Sequence, residues 1–161
     1  FVHHKGFDLL KRSLKFLKKK KNIKLVMFGQ DNCNFFPELE IPVLNIGFLK
    51  NDKILKSLYC AADLMIVPSR QDNLPNNAIE AQSCGTPVVS FNIGGLVDII
   101  EHQKTGYLAQ AFDIKDLANG ITWVLEHAAS KKLGNNARQR SIKKFAEKKI
   151  AADYLSIYKK I

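Results

Sequence analysis

The chain has 161 residues, of which 46% are hydrophobic and 25% charged, ordinary proportions for one globular domain with room for a full α/β core. No apolar run reaches the roughly 20 residues that would cross a bilayer, and the charged, helix-entering first ten residues do not read as a signal peptide. The formal net charge of +10 gathers in Lys11–Lys24 and from Lys131 onward. It is either a solvated helix face or a source of attraction to an anionic membrane surface. Nucleic acid is not expected as a partner, because no known module is present and the basic run lacks interleaved stacking aromatics. Cys33, Cys60 and Cys84 are odd in number and widely spaced, without metal-ligand pairing, which suits reduced thiols in a cytosolic protein.

In chain order, Phe7, Leu10, Leu14 and Leu17 form a helical stripe over Gly6–Lys20, with Lys11, Lys15 and Lys18 on the other face. Ile23–Phe28 reads as a buried strand ending at Gly29, followed by a polar loop through Asn34 and Pro37. Val43–Ile46 is a short strand ending at Gly47. Asn51 is placed to cap a helix over Asp52–Ala61, with Ile54, Leu55 and Leu58 expected to face inward. Ala61–Pro68 reads as a buried strand and Pro87–Phe91 as a second strand. Gly94-Gly95 opens a loop before a short helix at Leu96–Glu101, and Thr105-Gly106 reads as a turn. Asp113 caps an amphipathic helix running to about His127. Lys131–Ile161 reads as two helices broken near Lys144–Ala146. Strands alternating with helices imply a parallel sheet covered on both faces. No repeat or low-complexity linker divides the chain, so 1–161 reads as a single domain.

The densest chemistry lies between the third and fourth strands. Asp72 stands in a polar loop, Pro75 opens a helix, and Glu80 follows on that helix with seven residues between the two carboxylates. Ligands of open α/β sheets bind at the carboxyl ends of strands, where the free N–H groups of a helix start favour an anion. Two carboxylates flanking such a start can hold hydroxyls on either side of a phosphate. His3, His4, His102 and His127 lack metal-ligand spacing, and no Asp-x-Asp, Gly-x-Ser-x-Gly or Gly-Lys-Ser phosphate loop occurs. No metal and no cofactor is expected.

This pattern resembles the donor-binding lobe of retaining glycosyltransferases of the GT-B fold, in particular glycosyltransferase family 4. That family carries a motif written roughly Ser-x-x-Glu-Gly-Phe-x-x-x-x-x-Glu-Ala, then Gly-x-Pro-Val-Val and a Gly-Gly loop. Ser69, Glu80, Ala81, Gly85, Pro87, Val88, Val89, Gly94 and Gly95 fall on those positions. Asp72 replaces the first Glu, and Asn73-Leu74 replaces Gly-Phe. The Asp-Asn-Leu-Pro-Asn run, Asp72 to Asn76, is similar to that of a bacterial polysaccharide subgroup. Lys5-Gly6-Phe7-Asp8, Val26-Met27-Phe28-Gly29, Tyr59-Cys60-Ala61-Ala62-Asp63 and Thr105-Gly106-Tyr107-Leu108 are similar as well.

The resemblance implies a Rossmann-like α/β domain, the carboxy-terminal half of a GT-B enzyme. Beginning at Phe1-Val2 without a Met, the chain reads as a piece whose amino-terminal acceptor lobe is absent. The implied activity is retaining hexosyl transfer from a nucleoside diphosphate sugar to a glycan or lipid-linked acceptor, as in capsule or lipopolysaccharide synthesis. The implied place is the cytoplasm, at the inner face of the plasma membrane if the basic charge acts there. Alone, the lobe is expected to bind donor weakly and turn nothing over. Lys5 corresponds to a cation on the diphosphate, and the Arg that precedes it in the family has no counterpart here. Asp72 corresponds to a carboxylate near the donor sugar and Glu80 to the ribose ligand. Asn73, Leu74, Pro75 and Asn76 surround the helix start, and Gly29, Gly47, Gly94 and Gly95 allow close backbone approach to the donor. For Gly29 and Gly47 a plain tight turn is an equal reading. A stand-alone nucleotide-binding module of flavodoxin-like layout, or a GT-B sugar-nucleotide epimerase or phosphorylase, stands as the alternative.

Overall fold

The computed structural model describes residues 3–17, 23–29 and 41–159. Lys18–Lys21, Cys33, Asn34 and Pro37 lie outside the described residues. Among the described residues five short strands are all parallel. β1 (Leu25–Met27) pairs with β2 (Val43–Asn45), and β3 (Met65–Val67), β4 (Val88–Phe91) and β5 (Gly106–Ala109) form a second ladder in that order. Among the described residues no ladder joins β1 to β3. A cavity of about 470 Å³ separates them, lined by Leu10, Leu14, Met27 and Met65, with Lys5, Ser69 and Asn77 also on its wall. The expected parallel sheet is therefore present as two ladders.

Helices cover both faces. α1 (Phe7–Leu14) and α5 (Ile114–His127) pack on one side, where Leu9, Leu10, Val89, Phe91, Leu117 and Ile121 form a core. α2 (Asp52–Ala61), α3 (Asn76–Ser83) and α4 (Leu96–Ile99) lie on the other, around Tyr59, Val67, Ala78, Val88, Leu96 and Ile99. Val88 and Val89 point into opposite cores, as the two-residue period of a strand requires, and β4 is buried at all four positions. α6 (Lys132–Phe145) crosses behind α3. There Arg138 donates to the Ser83 carbonyl at 2.7 Å and Arg140 to those of Ile99 and Asp98 at 2.9 and 3.0 Å, which satisfies chain ends that a helix leaves open. α7 (Glu147–Tyr158) follows the expected break at Ala146 and buries none of its residues.

Several expectations need correction. The first helix ends at Leu14 and continues as a 3-10 turn over Lys15–Leu17. Asn51 does cap α2, its side chain accepting from the N–H groups of Lys53 and Ile54, but Ile54 is exposed and the buried residue of that helix is Tyr59. A turn was expected at Thr105-Gly106, yet Gly106 begins β5. A Cβ there would lie 2.0 Å from the Val88 carbonyl oxygen, so glycine is what lets β5 lie against β4. Asp113 caps α5 as expected, through Lys115 and Asp116 N–H.

Candidate donor-binding site

The predicted site residues cluster just past the carboxyl ends of four parallel strands. Gly29 follows β1 and Gly47 follows β2, and the Gly29 N–H donates to the Gly47 carbonyl at 2.8 Å. Both have positive φ, 85° and 65°, and among the described residues nothing lies within 4 Å of where a Gly29 side chain would begin. The loop after β3 carries Ser69 to Pro75, and the loop after β4 carries Gly94-Gly95.

Lys5 reaches this crevice from a 3-10 turn, His3–Lys5, ahead of α1. Its Nζ donates to Asp72 Oδ2 at 2.9 Å, and Ser69 Oγ donates to the same oxygen at 3.3 Å. Gly6 makes this possible. Its φ is +66°, and a Cβ would stand 1.9 Å from the Pro68 carbonyl oxygen. Arg70 fastens the same turn to the loop. Its backbone N–H donates to the His4 carbonyl at 2.7 Å, and its guanidinium grips both oxygens of Asp8 at 2.6 Å each. That fork holds the Asp8 carboxyl at about 2, below its ordinary 3.8. A lowered carboxyl stabilises the fold above its unfolded value, and that contribution is lost as pH falls through 2. With Asp8 half-exposed the pair is worth no more than ~1 kcal/mol. Melting temperatures of the wild type are thus expected to drop more steeply between about pH 4 and pH 2 than those of Asp8→Asn. Parallel acid profiles would show that the fork does not tie the turn down.

α3 begins at Asn76 after Pro75, with no side-chain cap and no acidic residue in its first turn. The N–H groups of Asn76 and Asn77 take no hydrogen bond among the described residues, and the Asn77 Oδ1 is buried without a partner. Such a start attracts an anion. Glu80 is the fifth residue of α3. It is exposed, and its Oε2 accepts from Tyr59 Oη at 3.0 Å. Burial, then the Glu80 charge, pushes the Tyr59 hydroxyl's pKa up.

Gly94 and Gly95, expected to face the sugar, first serve the Asp72 loop. Cβ atoms on them would lie 2.2 Å from the Asp72 carbonyl oxygen and 1.7 Å from that of Asn73, and the Gly95 N–H donates to the former at 3.3 Å. Leu74 is exposed beside them and Pro75 is buried. The structure thus joins Lys5, Ser69 and Asp72 in one cluster, with Gly94-Gly95 beneath Asp72 and Asn73. Glu80 joins Tyr59, and Phe28 packs edge-on against Tyr59 at 5.8 Å. The sequence alone assigns no role to Arg70, Asp8 or Tyr59. Tyr59 stands in the Tyr-Cys-Ala-Ala-Asp motif, but no local pattern shows what its hydroxyl meets. Among the described residues no three His, Cys, Asp or Glu side chains converge as metal ligands.

The fold is that of a GT-B glycosyltransferase domain, with a cation and a bare helix start at the carboxyl ends of its parallel strands. The chain matches the family described as glycosyl transferases group 1 over residues 1–140, and it belongs to that family. An uncharacterized glycosyltransferase of Methanocaldococcus jannaschii is 30% identical, across 98% of this chain and 42% of the relative. The capsular polysaccharide biosynthesis glycosyltransferase CapM of Staphylococcus aureus is 27% identical across 98% and 43%. Among solved structures, S. aureus TarM in a complex containing UDP superposes with a TM-score of 0.82 at 25% identity, covering 96% of this chain and 33% of that one. The chain spans about two fifths of the length of these curated relatives.

Proposed function

We propose that this chain is the donor-binding lobe of a retaining glycosyltransferase that moves a sugar from a nucleoside diphosphate sugar to a glycan or lipid-linked acceptor. The observation that carries the reading is the Lys5 ammonium, held by Asp72 at 2.9 Å in the loop that leads into the uncapped start of α3. Cleavage of the glycosidic bond leaves negative charge on the diphosphate. Preorganised N–H donors and a cation stabilise that charge without reorganisation. Lys5 has three N–H donors and gives one to Asp72, so two remain for phosphate oxygens. The Asp72 Oδ2 is occupied by Lys5 and Ser69, which leaves Oδ1 for a sugar hydroxyl. A leaving phosphate held on this face can accept the acceptor's proton, which gives retention without a protein nucleophile.

The similarity to CapM, a capsular polysaccharide biosynthesis glycosyltransferase, and the UDP in the TarM complex support a sugar nucleotide and a polysaccharide acceptor. Family membership favours transfer over the flavodoxin-like module or the epimerase. Among the described residues no helix is long and apolar enough to cross a membrane. The suggested contact with an anionic membrane rests partly on Lys18–Lys21, outside the described residues.

Glu80→Gln is the direct test. Losing a charge-assisted hydrogen bond costs about 1.5–3 kcal/mol, so affinity for UDP, GDP or ADP is expected to fall about ten- to a hundredfold. Affinity for pyrophosphate should not change. Calorimetry with and without magnesium reads both. Binding that requires magnesium would count against a metal-free diphosphate site, and equal losses for nucleotide and pyrophosphate would remove Glu80 from the ribose.

A further inference from the structure

The carboxylate assigned to the ribose does not stand alone. Tyr59 ends the buried side of α2 with a relative exposure of 3%, yet its hydroxyl leaves the core to meet an exposed glutamate. Three elements fix the backbone and ring of the tyrosine that carries that hydroxyl. Phe28, just past β1, packs edge-on against the ring at 5.8 Å and 86°. Thr86, ahead of β4, donates its hydroxyl to the Tyr59 carbonyl at 2.5 Å. α2 supplies the backbone, and Ala62 N–H donates to the same carbonyl at 3.1 Å. A glutamate on an exposed helix face samples many rotamers, and a ligand that binds it must first pay for stilling them. Here the hydroxyl already holds Oε2, while Oε1 has no hydrogen-bond partner among the described residues.

We infer that Tyr59 is a positioning residue. Its hydroxyl orients the Glu80 carboxylate to accept from the vicinal diol of a ribose, and it thereby sets the preference of this site for ribonucleoside over deoxyribonucleoside diphosphates. The inference rests on the reading of Glu80 as the ribose ligand. The diol is the group that needs an oriented acceptor, since both of its hydroxyls must be met at once. A deoxyribose offers one hydroxyl and gains little from the fixed geometry. The diphosphate gains nothing, because it is held by Lys5 and the start of α3.

Calorimetry on the intact protein with UDP, GDP and ADP, their deoxyribose counterparts and pyrophosphate tests this. Tyr59→Phe keeps the ring and its contact with Phe28 and removes only the hydroxyl. It is expected to weaken the tightest ribonucleotide by roughly tenfold, the factor equal to about 1.4 kcal/mol. The deoxyribonucleotide should be nearly unaffected and pyrophosphate unchanged. Tyr59→Phe added to Glu80→Gln should cost nothing further. If Glu80→Gln collapses the ribose preference while Tyr59→Phe keeps it, the positioning role is wrong and the ribose ligand stands. If Glu80→Gln itself leaves that preference intact, the ribose ligand is wrong and the role of Tyr59 falls with it. Should Tyr59→Phe fail to fold, Tyr59→fluorotyrosine retains ring and hydroxyl. Its fluorine resonance must then shift with ribonucleotide and stay still with pyrophosphate, and an unmoved resonance overturns the inference.

Discussion

Gly95→Ala is expected to lower the kcat/KM of the intact protein about a hundredfold or more, the scale set by misplacing reacting groups by ~1 Å. The reason is steric and not conformational. Gly95 has φ of −73°, which any residue adopts, but its Cβ would lie 1.7 Å from the Asn73 carbonyl oxygen and 2.8 Å from the carbon. These are backbone atoms of the loop that carries Asp72, so no side chain can swing away to make room. The loop must move outward, taking Asp72 away from Lys5. Overpacking of this kind also destabilises by roughly 1–3 kcal/mol, so a lower melting temperature should accompany the loss. Steady-state kinetics and thermal melts are the measurements. A variant that keeps both activity and melting temperature would show that the two loops are not in contact as described.

Lys5→Met is expected to lower kcat by about 10²–10³, the range found when one preorganised donor to developing charge is removed. Stability should hardly change, because the Lys5–Asp72 pair is partly exposed, with 42% of the Lys5 side chain accessible, and such pairs contribute little. The inhibition pattern separates the two ligand roles. Pyrophosphate inhibition should weaken in Lys5→Met and persist in Glu80→Gln. Gly6→Ala should reproduce part of the Lys5 loss, since a Cβ pressed on the Pro68 carbonyl displaces the turn on which Lys5 rides. Unchanged kcat in Lys5→Met, measured by single turnover, would take the cation away from the leaving group.

Much of the fold was legible because its signals are local. Asn51 and Asp113 announce the starts of α2 and α5 by a side chain that accepts from the N–H groups two and three residues on. The run to Phe91 is legible as a strand, and the structure buries all four positions of β4. The same locality misled at Gly106. A glycine after threonine looks like a turn until β4 is placed beside it and its carbonyl demands the room. Ile54 misled in the other direction, since an apolar residue at the right helical spacing still needs a neighbour to bury it, and among the described residues none covers it.

By itself the sequence determined which chemical groups the site would hold. A lysine before a glycine, two carboxylates around a proline-led helix and a Gly-Gly pair are visible in the chain without any structure. Only the tertiary structure decided what those groups do to one another. Lys5 meets Asp72 across 67 positions, Asp8 meets Arg70 across 62 and Tyr59 meets Glu80 across 21. It also made Gly94-Gly95 the floor beneath the Asp72 loop. The last of these arises because the paired parallel strands β3 and β4 bring the loops at their carboxyl ends side by side, and the others because helices and a turn packed on the sheet meet one another or the loop after β3. Strand pairing is non-local, so no window along the chain contains both partners of such a contact.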